Sequence, residues 1–173
     1  MTKKVERKPA LHRHTDIANM PWQRHVHQHN SKAIRYTKPL SDAAGLHTLG
    51  ASLVTLKPGD YSTEFHSHFE DEEFLYILSG HGEARIGSQT HSIGPGDFMG
   101  FSKRSLPHSL YNPHDEDLVY LMAGTRPAID ICDYPDLAIR QYRVNGDRTA
   151  VAKQAIFDAN PDRSLKPRRP KND

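Results

Sequence analysis

The chain has 173 residues, an apolar content of 36% and a net charge of +2, from 23 Lys/Arg against 21 Asp/Glu. That length allows one domain with a real core, and no apolar run approaches a membrane span, so a soluble protein with no membrane partner is expected. Cys132 is the only cysteine, which excludes an intramolecular disulfide, and the polar, basic N-terminus has no apolar signal core, which predicts a cytoplasmic protein.

Charge is unevenly spread. Residues 1–13 carry a net +4 and residues 160–173 a net +3, which leaves −5 for the segment between them. Basic ends of this kind can touch nucleic acid, but no helix-turn-helix or stacking platform accompanies them, so solvated tails are expected and nucleic-acid binding is not. Residues 1–30 read as a polar arm in which Trp22 is the obvious anchor. His25, His27 and His29 alternate along this arm, but no carboxylate or distal histidine follows at matching distance, and they read as a solvated cluster.

From residue 46 the chain changes to short extended runs broken by Gly, Pro, Asn and Asp. Strands are predicted near 46–56, 61–67, 73–79, 82–87, 89–93, 97–101, 106–112, 117–124 and 128–133. Many short strands at near-even spacing imply an all-β sandwich or barrel. After Tyr134-Pro135-Asp136 the rhythm is lost, and 149–159 is at most a weak helix candidate. The expected division is an arm over 1–30, a β-barrel over 31–136 and an irregular extension over 137–173, with 160–173 disordered.

Within the strand region, His66-Ser67-His68, Glu73 and His108 form a set able to close around one divalent metal ion. Alternate strand residues share a face, so His66 and His68 project together while Ser67 points away. Glu73 opens the next predicted strand, and His108 lies on a short strand of its own. Imidazole and carboxylate together suit iron, manganese, nickel, zinc or copper. Without an ion, three buried imidazoles and a carboxylate would have to satisfy one another, and unpaired burial is costly, so the reading with metal is favoured. Cys132 reads as a small buried residue, since no thiolate-activating motif surrounds it.

Gly59, His66, His68, Glu73 and Gly80 resemble the first motif of the cupin superfamily. Glu72 also falls within the allowed spacing, but only Glu73 keeps the usual distance to Gly80. Gly87, Pro95-Gly96-Asp97, His108 and Asn112 are similar to the second motif, with Lys103 and Ser105 where that pattern has Pro and Gly. The resemblance spans residues 45–136 and points to small single-domain bacterial cupins, some loosely sugar-phosphate-isomerase-like. It implies a double-stranded β-helix, or jelly-roll barrel, and a homodimer. The metal would keep open coordination positions for a small-molecule ligand.

Gly59, Gly80, Gly94 and Gly96 are expected at positive-φ turns, and Asp97 is expected to cap its own turn. Leu75 and Ile77 should share Glu73's inner face, with Phe74, Tyr76 and Leu78 on the outer one. Tyr61, Met99, Phe101, Tyr111, Tyr120 and Met122 are candidates for the pocket wall. Arg85, Lys103 and Arg126 are candidates for holding an anionic substrate, although salt-bridge duty is the commoner role of each alone. Two functions follow: a metal-dependent enzyme acting on a sugar, sugar acid or similar oxygenated metabolite, or a non-catalytic ligand-binding module with a sensory role. No general base beyond the ligands is identifiable.

Overall fold

Alternating polar and β-branched residues in short runs leave little choice but sheet, and the computed structural model, which describes residues 8–159, is built from antiparallel strands. The strongly charged terminal segments 1–7 and 160–173, and the disorder expected of the latter, lie outside the described residues. In chain order the elements are helix α1 (His14–Asn19), strands β1 (Gln23–His27) and β2 (Asn30–Pro39), and helix α2 (Leu40–Ala44). Next come β3 (Leu49–Leu56), β4 (Ser67–His68), β5 (Glu73–Ser79), β6 (Gly82–Ile86), β7 (Gln89–Ile93) and β8 (Phe98–Phe101). The last are β9 (His108–Tyr111), β10 (Leu118–Thr125), β11 (Ile129–Tyr134), β12 (Ile139–Val144) and β13 (Asp147–Ala152).

Three sheets wrap one interior, in the orders β1-β2-β3-β10-β5-β8, β13-β12-β11-β4 and β7-β6-β9. Val54, Leu56, Leu75, Ile77, Leu110, Leu118 and Tyr120 form the dry part of that interior. Leu75 and Ile77 point inward as expected, while Tyr76 and Leu78 stand exposed on the outer face of β5. Among the described residues no helix is long and apolar enough to cross a membrane.

Two predictions are corrected. The helix candidate over 149–159 is instead strand β13 followed by a short 3-10 turn at Lys153–Ala155. Its partner β12 reaches it through Asn145-Gly146, where φ is 50° and 97°, the left-handed pair that a two-residue hairpin needs. Of the turn glycines, Gly59, Gly80 and Gly96 have positive φ, but Gly94 does not. At Gly94 an added Cβ would sit 2.9 Å from the exposed His81 ring, which would have to turn aside. Asp97 caps that turn by accepting the Gly94 N–H at 2.8 Å.

The β11–β12 pair is fastened by charge. Asp133, opposite Arg140 in the register, accepts its Nε and Nη2 at 2.6 and 2.8 Å, and Lys153 Nζ lies 3.0 Å away. The Arg140 hydrogen bonds hold the Asp133 carboxyl below the usual carboxylate range, against burial, with Lys153 adding to the effect. A depressed carboxyl stabilises the fold above its unfolded-state pKa, and that stability disappears as pH falls through the folded-state value. Asp133→Asn should therefore cost about 1.5–3 kcal/mol at pH 7. Urea melts of both proteins should show the difference shrinking as pH drops below about 4; a difference independent of pH would refute the ion-pair explanation.

Candidate metal centre

The backbone brings the sequence-predicted histidines together. His66 and His108 exchange reciprocal backbone hydrogen bonds, His66 N–H to His108 O at 3.2 Å and His108 N–H to His66 O at 2.8 Å, so their side chains emerge side by side. His68, two residues on from His66, pairs across β4–β11 with Cys132. Glu73 opens β5 between Phe101 of β8 and Gly124 of β10. The ligand-capable atoms of His66, Glu73 and His108 lie within 4.8 Å of one another. His68 joins this triad through His66, their Nε2 atoms 3.0 Å apart. His108 Nε2 is 3.1 Å from Glu73 Oε2, which makes Glu73 and not Glu72 the carboxylate in contact with the histidines.

Hydrogen bonds on the far side of the rings decide which nitrogens face inward. His66 Nδ1 is 2.9 Å from the Glu64 carbonyl and His68 Nδ1 is 2.7 Å from Asp130 Oδ2; both acceptors call for an N–H donor. The Nε2 lone pairs are thus aimed at each other, an arrangement that needs either a shared proton or a cation. Two nitrogens at about 2.1 Å from a common centre and at right angles to it would be about 3.0 Å apart, so the observed spacing fits a transition-metal ion. The fit is qualified at His108, whose Nδ1 is buried with no partner. Its ring lies flat on Phe101, with centroids 3.5 Å apart.

The surroundings act on the cluster residue by residue. Burial, aided by His108 and His68, pushes the His66 imidazole down to about 3, so it stays neutral and able to donate its lone pair. Glu73 is held at about 2: burial opposes ionisation, but the His108 hydrogen bond and the imidazoles around it prevail. His68 is raised, because Asp130 outweighs the effect of burial. Cys132 is buried and its thiol is pushed up to about 12 by that burial, which leaves it protonated.

The cluster lies at the base of a cavity of about 520 Å³. Of the predicted wall residues, Tyr120 and Met122 line this cavity; Met99 and Phe101 belong to the core, and Tyr61 stacks on Tyr111 elsewhere. The three candidate cations are all in salt bridges: Arg85 with Asp136, Lys103 with Glu70, and Arg126 with Asp42.

Sequence reasoning missed three features. Asp130 is almost fully buried and, besides His68, accepts the Glu70 N–H at 3.0 Å and the Asp71 N–H at 3.3 Å. A carboxylate in step with Cys132 and Tyr134 on β11 was the available signal. Next, the arm histidines are only partly solvated: His25 is exposed, but His27 and His29 are half-buried. His25 and His27 line the cavity, and His27 and His29 each pack edge-on against Tyr134, with centroids 5.5 Å away. Finally, Arg35, Arg143 and Arg148 also line the cavity, and none stood out in the sequence.

A cupin-domain family model matches residues 52–124. The chain is also 38% identical to a candidate sugar phosphate isomerase from Acidithiobacillus ferrooxidans, with a TM-score of 0.85 over 86% of this chain and 96% of that one. The chain belongs to the cupin superfamily. A cupin-superfamily sugar phosphate isomerase from Silicibacter pomeroyi is 25% identical, with a TM-score of 0.72 over 80% of this chain and 94% of that one. A predicted oxalate decarboxylase from Thermotoga maritima, at 20% identity and a TM-score of 0.54 over 64% and 96%, shares the fold alone. No curated protein matches the cupin sequence significantly.

Asp130 fixes the orientation of His68, and partners of that kind typically contribute 10–100-fold, roughly, to metal affinity. Asp130→Ala should weaken retention of added zinc or manganese by about that factor, measured by titration against a chelating dye. Equal affinity in the variant would separate Asp130 from metal binding.

Proposed function

We propose that this cupin is a metal-dependent enzyme acting on a small oxygenated metabolite of the sugar or sugar-acid type. The observation that carries the reading is the convergence of His66, His68, Glu73 and His108 at the base of a polar-walled cavity of about 520 Å³. Three imidazoles and one carboxylate suit iron, manganese, nickel or zinc and leave coordination positions for substrate oxygens. A divalent ion held there supplies Lewis acidity, which polarises a carbonyl or hydroxyl oxygen.

The chain's own residues would hold and orient the substrate. Tyr120 is buried at the cavity wall, and burial raises its phenol well above the ordinary value, so it stays a neutral hydrogen-bond donor. His27 is pushed down to about 4, first by burial and then by His29, Arg35 and Arg148, and is a neutral imidazole at pH 7. Its Nδ1 accepts the His29 backbone N–H at 3.2 Å, which leaves the Nε2–H as a donor to a substrate oxygen. The descriptions of the two similar proteins, one a candidate sugar phosphate isomerase and the other a sugar phosphate isomerase, support the isomerase class within this reading.

The proposal includes a homodimer. Phe98 of edge strand β8 is 64% exposed and stands opposite Tyr76 of β5, which with Leu78 makes an apolar outer row. Light scattering should give twice the chain mass for the wild type and a monomer for Phe98→Asp; a monomeric wild type removes the dimer from the proposal.

Metal analysis tests the core of the proposal. His66→Ala and His108→Ala should lose bound metal and melt at lower temperature in its presence, because the folded state no longer gains from binding. Metal content equal to wild type would overturn the ligand assignment. Turnover of sugar phosphates and uronates should then follow metal loading; saturable ligand binding with no turnover under any metal would instead identify a binding module.

A further inference from the structure

The β1–β2 hairpin sets a second, basic group of side chains into the wall of the cavity that holds the histidine–glutamate cluster. In its register His25 stands directly opposite Arg35, and alternation brings His27, Ala33 and Thr37 to the same face. His25, His27, Ala33 and Arg35 of this face line the cavity. His25 is steadied there by a 2.9 Å hydrogen bond between its Nε2 and Thr37 Oγ1. β13 contributes the exposed Arg148 to the same wall.

These two arginines differ from the others around them. Arg126 is matched by Asp42, while Arg143 is matched by Asp71 and Asp130, the latter also held by His68. Among the described residues, neither Arg35 nor Arg148 has a carboxylate at salt-bridge distance. Arg35 makes one hydrogen bond, Nη1 to the Ser62 carbonyl at 3.2 Å, and its Nε is buried without a partner. A half-buried guanidinium with an orphaned donor is costly unless an anion completes it.

We infer that Arg35, with Arg148 and the imidazoles of His25 and His27, is the anchor for a phosphate monoester group of the substrate. This rests on the functional reading above and names the part of the substrate that the metal does not hold. A dianion suits this basic group better than a carboxylate: two guanidinium charges face it, and a planar fork can deliver two parallel N–H bonds to phosphate oxygens. The separation of the two groups is set by Tyr134, whose ring lies 5.5 Å from His27 on one side and 6.1 Å from His66 on the other, centroid to centroid. A molecule that reaches both must carry its phosphate at one end and its metal-binding oxygens several bonds away.

Inorganic phosphate is the probe, measured by calorimetry on the full chain, with metal content assayed on the same samples. Arg35→Met should weaken phosphate binding by about tenfold or more, with metal content unchanged and Arg35→Lys recovering part of the loss. His66→Ala should lose metal yet still bind phosphate. Phosphate binding unaltered by Arg35→Met, or lost in His66→Ala and kept in Arg35→Met, would place the anion on the metal and overturn the inference. Acetate binding as tightly as phosphate would overturn the dianion assignment. Should Arg35→Met not fold, Arg148→Met provides the same comparison. Retained metal in His66→Ala would refute the metal reading alone and leave the phosphate result to stand or fall separately.

Discussion

The hydrogen bonds behind the rings of His66 and His68 are what the rest of the site depends on. The Glu64 carbonyl and the Asp130 carboxylate each claim an Nδ1 proton, and this alone determines that the Nε2 lone pairs face one another. Were either acceptor absent, the ring could present an N–H inward and the pair would be an ordinary hydrogen bond. Asp130 is itself held by two backbone N–H groups from the loop after His68, so the orientation of one imidazole is tied to the path of the chain between β4 and β5.

The barrel places charge in two ways. Around its outside some carboxylates and cations are paired, as with Lys57–Asp117 and Arg85–Asp136, which contributes little to stability at the surface. Inside the cavity the matching is selective. Arg143 is neutralised by the acids that also hold His68, while Arg35 is left with only the Ser62 carbonyl. Of the four arginines that line the cavity, Arg126 and Arg143 are ion-paired, whereas Arg35 and Arg148 have no carboxylate partner among the described residues.

The central strands and the clustering of the histidines with Glu73 were legible because they carry strong local signals. Apolar alternation marks β3, β5 and β10, and His-x-His with a following carboxylate fixes its own geometry on a strand. The flanking hairpins were not legible for the opposite reason. Gln23–His27 and Asn30–Pro39 alternate polar with polar, since one face meets solvent and the other a wet cavity, and hydrophobic periodicity is silent there. The same holds for Ile139–Val144 and Asp147–Ala152, although Asn145-Gly146 between them is a strong turn signal that pattern reading on apolar residues passed over. Asp130 was hidden because one acid on a strand looks like any solvated one until its neighbours are placed.

The turn of the first hairpin touches the last sheet: the Gln28 side-chain amide donates to the Gln141 side-chain carbonyl. Residues 113 positions apart thereby share one rim of the cavity. Removing either hairpin would open that side of the cavity, since each supplies part of its lining.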